Sequence, residues 1–299
     1  MGTPVGKWVG RLTDGNQHTG CAGRGLRARR ESGCPYDELM DWLLTLLHPL
    51  AINFGPPATE QQIGTFEEQI GAELPGDLRQ LYRLFNGYEN TDSAHSALPM
   101  RFHSLEESVT LQGAGENWPG LPAGAQPFWT DDQSNHALVY LSGPLRGMVV
   151  LLYHDEPDYA PRYRSALSFL LHLHTAGTIN HYEEDSVSTA DLPVLEPRLS
   201  SSQTAEDRRL YQICRTDYEQ ATTDQERFLA AVTAMNLLPY EDTDELEEFT
   251  LAEDFYIGQR ACEIYGKRRW EDAEESLLSL SKNAHSNIAG AARQALEQL

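Results

Sequence analysis

The chain has 299 residues, 40% hydrophobic and 9% aromatic, enough to bury the core of one large domain or two ordinary ones. Forty-five acidic against 23 basic side chains leave a net charge of −22 with His neutral. That balance argues against direct nucleic-acid binding, which needs Lys and Arg to replace counterions at phosphates, and it fits a basic partner.

Residues 1–34 are rich in Gly and Arg and carry Lys7, Arg11, Arg24, Arg27, Arg29 and Arg30 against Asp14 and Glu31. With no hydrophobic period, this segment cannot offset its ordering entropy and reads as a disordered basic tail. An Arg-rich interaction arm and a targeting leader are its functional alternatives. It lacks the apolar core of a secretory signal. No apolar run approaches the roughly 20 residues of a membrane-spanning helix, the longest candidate being Trp42 to Leu47. Cys21, Cys34, Cys214 and Cys262 form no C-x-x-C pair, which points to a reducing compartment; the expected location is the cytoplasm.

From Tyr36 the pattern becomes regular. Leu39, Trp42, Leu43, Leu46 and Leu47 recur at helical spacing until Pro49. Thr59 with Gln62 forms a capping box opening a second helix, whose Ile63, Phe66 and Ile70 share a face and which Gly71 stops. Pro75 starts a third helix through Leu78, Leu81, Tyr82 and Phe85, with Asn86-Gly87 as its C-cap. Ser104 with Glu107 caps a shorter helix after the apolar stretch Leu98 to Phe102. Strand signals follow at Pro127 to Thr130, His136 to Leu141 and Met148 to Tyr153, the last two spaced as an antiparallel hairpin. Arg164 to His174 returns to helix. Residues 177–203 carry no period and read as a linker. Beyond it, the signals are helical: Leu210, Ile213 and Cys214 on one stripe, and a Thr223–Glu226 capping box before Phe228, Leu229, Val232 and Met235. Ala273, Leu277 and Leu280, then Ile288, Ala292, Ala295 and Leu299, mark two final helices. The expected organisation is therefore a disordered segment (1–34), an α+β domain (35–176), a linker (177–203) and a helical region (204–299).

The familiar catalytic and cofactor signatures are absent: no Gly-x-Ser-x-Gly elbow, P-loop, dinucleotide fingerprint or His-Glu-x-x-His. No cofactor and no metal are expected. His154, Asp155, Glu156 and Asp158 form the densest polar cluster. A solvated acidic loop after a strand accounts for it more simply than an acid/base or cation site does. Asp131 and Asp132 pose the same choice, and their Ser and Asn neighbours favour a loop. His172 and His174, two apart on a helix, point to different faces. Cys214 and Cys262 fall on apolar stripes and read as buried thiols. Trp42 and Trp270 follow apolar stripes too, whereas Trp118 and Trp129 stay open as partner anchors.

Two stretches carry a resemblance. Residues 46–90 contain a Gly-Pro-Pro-Ala-Thr turn, then Ile63, Phe66, Glu67, Gly71, Leu74, Pro75, Leu78, Leu81, Tyr82, Asn86 and Gly87 in a spacing similar to the opening of the SUKH superfamily, the Smi/Knr cell-wall-regulator-like domain. Residues 146–174, with a Gly-Met-Val-Val strand, a His-Asp loop, Arg-Tyr-Arg-Ser and a Ser-Phe-Leu helix, resemble its close. Each matched position also has a scaffold role. Residues 258–299, with Gly266, Trp270, Ala273, Leu277 and the Ala292 to Leu296 run, resemble HEAT-like repeats, a pattern that any Ala/Leu helical bundle also produces.

The SUKH resemblance implies a mainly antiparallel sheet flanked by helices, without established catalysis, acting by binding another protein. Bacterial members are typically immunity proteins that neutralise toxins; fungal relatives organise cell-wall and signalling proteins. The expected role is a non-catalytic immunity protein occluding a basic toxin such as a nuclease, with a scaffold or adaptor as the alternative. Charge and loop position place the expected partner-binding face at Asp131, Asp132, Asp155, Glu156 and Asp158.

Overall fold

The computed structural model describes residues 41, 43–45, 52–90, 101–115, 124–131, 135–152, 160–178, 201–239, 242–268, 273–283 and 285–299. In chain order these hold β1 (Ile52–Phe54), α1 (Glu60–Ile70), α2 (Gly76–Leu84), β2 (Tyr88–Asn90), β3 (Arg101–Phe102), α3 (Leu105–Gly115), β4 (Ala125–Thr130), β5 (His136–Tyr140), β6 (Val149–Leu152), β7 (Pro161–Tyr163) and α4 (Ala166–Thr178). Six helices follow: α5 (Ser201–Gln220), α6 (Asp224–Leu237), α7 (Thr243–Thr250), α8 (Phe255–Arg268), α9 (Glu274–Asn283) and α10 (Ser286–Gln298). The architecture is α+β followed by an all-helical region. The seven strands form one sheet in sequence order, each antiparallel to the next. Strands β1, β2, β3 and β7 are two or three residues long, too short to show a period in the sequence.

Local chemistry sets the helix ends. Thr59 and Gln62 form the capping box of α1, and Gly71 closes that helix at φ 70°. The Ser104 N–H donates to Glu107 Oε2 (2.8 Å) while the Glu107 N–H donates to Ser104 Oγ (3.2 Å), fixing the start of α3. Helix α2 ends differently from expectation: its C-cap is Phe85 in extended conformation, not Asn86-Gly87. Asn86 instead accepts the Leu105 N–H of α3 (2.9 Å), and Gly87, at φ 90°, lets the chain pass where a Cβ would lie 2.9 Å from Ser104 N. The Asn-Gly pair thus serves the next helix rather than its own.

Aromatic side chains build the core. Phe102 packs against Tyr82, Phe85 and Tyr88 with ring centroids 5.1–5.7 Å apart. A register shift between Pro127 and Trp129 makes Phe128 the extra residue of a bulge, and Phe128 and Trp129 both reach Phe169 of α4 (5.7 and 5.2 Å). Trp129 is therefore buried and anchors the core rather than a partner. Asp77 of α2 is buried too, accepting the Leu167 N–H at the start of α4 (3.1 Å); burial pushes its carboxyl up.

The helical region docks on β7. Asn236 of α6 donates from Nδ2 to the Pro161 carbonyl (2.9 Å), and Arg164 makes a bidentate ion pair with Asp207 of α5, whose side chain is 1% exposed. Asp207→Ala removes the buried carboxylate of this pair and is expected to cost about 3–5 kcal/mol in urea unfolding. A joint Arg164→Leu, Asp207→Leu exchange is expected to recover most of that loss; a single-variant loss under about 1 kcal/mol contradicts the assignment.

Among the last helices, Gly266 of α8 lets α10 approach so closely that a Cβ there would sit 2.7 Å from Ala295 Cα. Gly266→Ala is expected to lower stability by about 1–3 kcal/mol, whereas Gly290→Ala, with nothing within 4 Å, is expected to be neutral or stabilising in the same thermal-melt series.

Candidate binding site

Of the acidic residues singled out above, Asp132, Asp155, Glu156 and Asp158, with His154, lie outside the described residues. Asp131 is buried. Its carboxylate accepts the Asn135 N–H (3.2 Å) and the Asn135 Nδ2 (2.7 Å), closing the loop between β4 and β5. The side chains of His172 and His174, and all of Trp42, Trp118 and Trp270, also fall outside the description. Cys214 and Cys262 are buried, and burial pushes each thiol up to about 12, as for structural rather than nucleophilic thiols.

A cavity of about 480 Å³ opens between the sheet and α3, lined by Arg101, His103, Glu106, Glu107, Thr110, Leu111, Thr130 and His136. Sheet register assembles its floor. Arg101 on β3 stands opposite Thr130 on β4, which stands opposite His136 on β5. Residues directly opposite across antiparallel strands share a face, so these three side chains form one row. His103 follows just past the end of β3, tied by its N–H to the Phe128 carbonyl (2.8 Å). Helix α3 supplies the wall, fastened to β4 by Gln126 Nε2 donating to the Ser108 carbonyl (2.9 Å) and by Ser108 Oγ donating to the Pro127 carbonyl.

The electrostatics are uneven. Glu107 lies within 3.5 Å of Arg101, and Glu106 adds a second carboxylate. His103 is 2% exposed, and neither ring nitrogen has a hydrogen-bond partner among the described residues. Its ring lies 6.3 Å from that of His136, nearly parallel. Burial lowers the His103 pKa to about 4, a shift the nearby Glu107 charge opposes and His136 and Arg101 reinforce, so the ring is neutral at pH 7. Among the described residues no three metal-ligating side chains converge.

None of this cavity was selected from the sequence. Its signal was faint: Arg101 and His103, polar and alternating at the end of an apolar stretch, and His136 at the start of an apolar strand.

Residues 57–172 match the model of the SMI1 / KNR4 family (SUKH-1). That match supports a SUKH domain in this part of the chain. The match runs from just before α1 into the first half of α4 and includes every residue lining the cavity. It ends before the helical region, whose HEAT-like resemblance rests on its helices alone. No curated protein matches the chain. The family is compatible with an immunity-protein or a Smi1/Knr4-type role and suggests protein partners.

A buried neutral His makes stability depend on pH. The unfolded chain protonates this ring near 6.5, the folded protein only near 4. Between those values the unfolded state holds the extra proton, so stability present above pH 6.5 falls as pH drops toward 4, by up to about 3 kcal/mol from this group. His103→Phe is expected to flatten that part of a urea-midpoint profile relative to the parent. Parallel profiles for the two proteins contradict the assignment.

Proposed function

We propose that this protein acts without catalysis, as an immunity protein that binds a basic toxin and occludes it. The observation that carries the reading is a SUKH domain within a chain of net charge −22. Complementary charge accelerates encounter, and buried anchors slow release. Nuclease toxins suit such a partner because their surfaces must be basic to hold phosphates. Asp131 and Asp132, with Asp155, Glu156 and Asp158, are the proposed acidic docking residues.

A scaffold or adaptor is the second reading. The helical region supports it, because Leu251, Tyr256 and Leu278 are exposed there, Leu251 at 74%. Among the described residues no helix is long and apolar enough to cross a membrane.

Affinity capture of the tagged chain at low and then high salt separates the readings. One toxin-like protein in equal amount, whose toxicity the chain suppresses on co-expression, supports immunity. Several envelope-assembly or signalling proteins support the adaptor. With a captured toxin, the association rate is expected to fall about tenfold or more between 50 and 500 mM salt; a salt-independent rate overturns the electrostatic part of the reading.

A further inference from the structure

The cavity beside α3 is lined by two carboxylates and two hydroxyls against one guanidinium and two imidazoles. The Thr110 hydroxyl donates to the Glu106 carbonyl (2.9 Å) and the Thr130 hydroxyl donates to the Asn135 carbonyl (2.9 Å). Each hydroxyl spends its one proton on a carbonyl, which leaves the exposed Thr110 oxygen as an acceptor towards the cavity. Glu106 is exposed, and its carboxylate makes no hydrogen bond among the described residues. Glu107 faces Arg101, so two carboxylates stand against a single guanidinium on the walls.

Acidic residues in a first helical turn have an ordinary explanation, since they complement the helix dipole. That accounts for Glu106 and Glu107. It does not account for His103, almost wholly buried with both ring nitrogens unpartnered and its ring on the cavity wall. A buried polar group of this kind costs about 1–3 kcal/mol unless something satisfies it.

We propose that this cavity receives the guanidinium of an arginine side chain presented by the protein partner. The inference rests on the protein-binding reading above. The guanidinium carries five N–H donors in a planar fork and a permanent positive charge, matching several acceptors under a net negative wall. A carboxylate or phosphate meets one cation already facing Glu107. A lysine ammonium, with three donors at one point, reaches fewer of the acceptors. A volume of about 480 Å³ accommodates the head group and its stem.

The test titrates N-acetyl-arginine amide into the full chain labelled with ¹³C at His, following the Cε1–Hε1 signals of His103 and His136 at constant ionic strength. Saturable shifts of these two rings at millimolar probe are expected. Glu106→Gln alters an exposed, unbonded side chain and is expected to weaken binding about threefold, the effect of one solvent-exposed charge; Thr110→Val is expected to weaken it further, and His103→Phe to abolish it. Shifts no larger than with matched NaCl overturn the proposal. So does equal or stronger saturation by N-acetyl-lysine amide, N-acetyl-glutamate amide or inorganic phosphate.

The titration needs no partner, so its failure and that of the protein-binding reading are separable. A captured partner whose affinity is unaffected by Glu106→Gln and His103→Phe removes the cavity from recognition and leaves the binding reading standing. Saturable arginine binding in a chain that captures no protein upholds the cavity chemistry and counts against that reading.

Discussion

The ion pair between Arg164 and Asp207 holds the two halves of this protein in one arrangement. Arg164 sits between the last strand and α4, and Asp207 sits on the first helix of the C-terminal region. Such a pair gains little over apolar packing in net free energy, because both charges lose water. What it adds is orientation: a bidentate guanidinium–carboxylate contact has one good geometry. With Asn236 bound to the Pro161 carbonyl, it places helices along β7. An exposed strand edge invites pairing with other chains, and this one is partly covered by its own helices. At the opposite edge, β1 carries Phe54, which is partly exposed while touching Phe85 and Tyr88.

The candidate site follows from register. Residues 101, 130 and 136 meet because three neighbouring strands pair in phase, and the bulge at Phe128 shifts the phase of β4 ahead of Thr130. Without that extra residue, the alternation of β4 would carry Thr130 to the other face. The same bulge sends Phe128 and Trp129 to α4. One inserted residue thus helps to build the core on one side of the strand and the cavity on the other.

Much of the scaffold was legible in the sequence because its signals are local. The capping boxes at Thr59, Ser104 and Thr223 operate over three residues, and each lies where the pattern put it. The Leu138 and Val150 strands read clearly as continuous apolar runs. The short strands did not, since two or three residues carry no period and gain their state from tertiary pairing. Asn86-Gly87 misled for a related reason: its turn chemistry was recognised, but its partner, Leu105, lies nineteen residues further on. The cavity was invisible for the strongest reason. Its residues come from four elements, and nothing along one strand reveals which residue of the next will stand opposite it.

The order of the strands has a consequence for how the chain acquires its shape. Every ladder joins strands adjacent in sequence, so each pairing closes a comparatively short loop. Sheets of this kind have lower contact order than Greek-key or parallel ones and pass a smaller entropic barrier. As a polypeptide emerges from the ribosome, such a meander can grow strand by strand behind α1 and α2, its aromatic core closing when α4 delivers Phe169. The C-terminal helices come last, and Asp207 is among the first of their residues to reach the waiting guanidinium. Synthesis from the N-terminus thus delivers the strands in the order in which the sheet pairs them, and the helices that meet β7 after the strand itself.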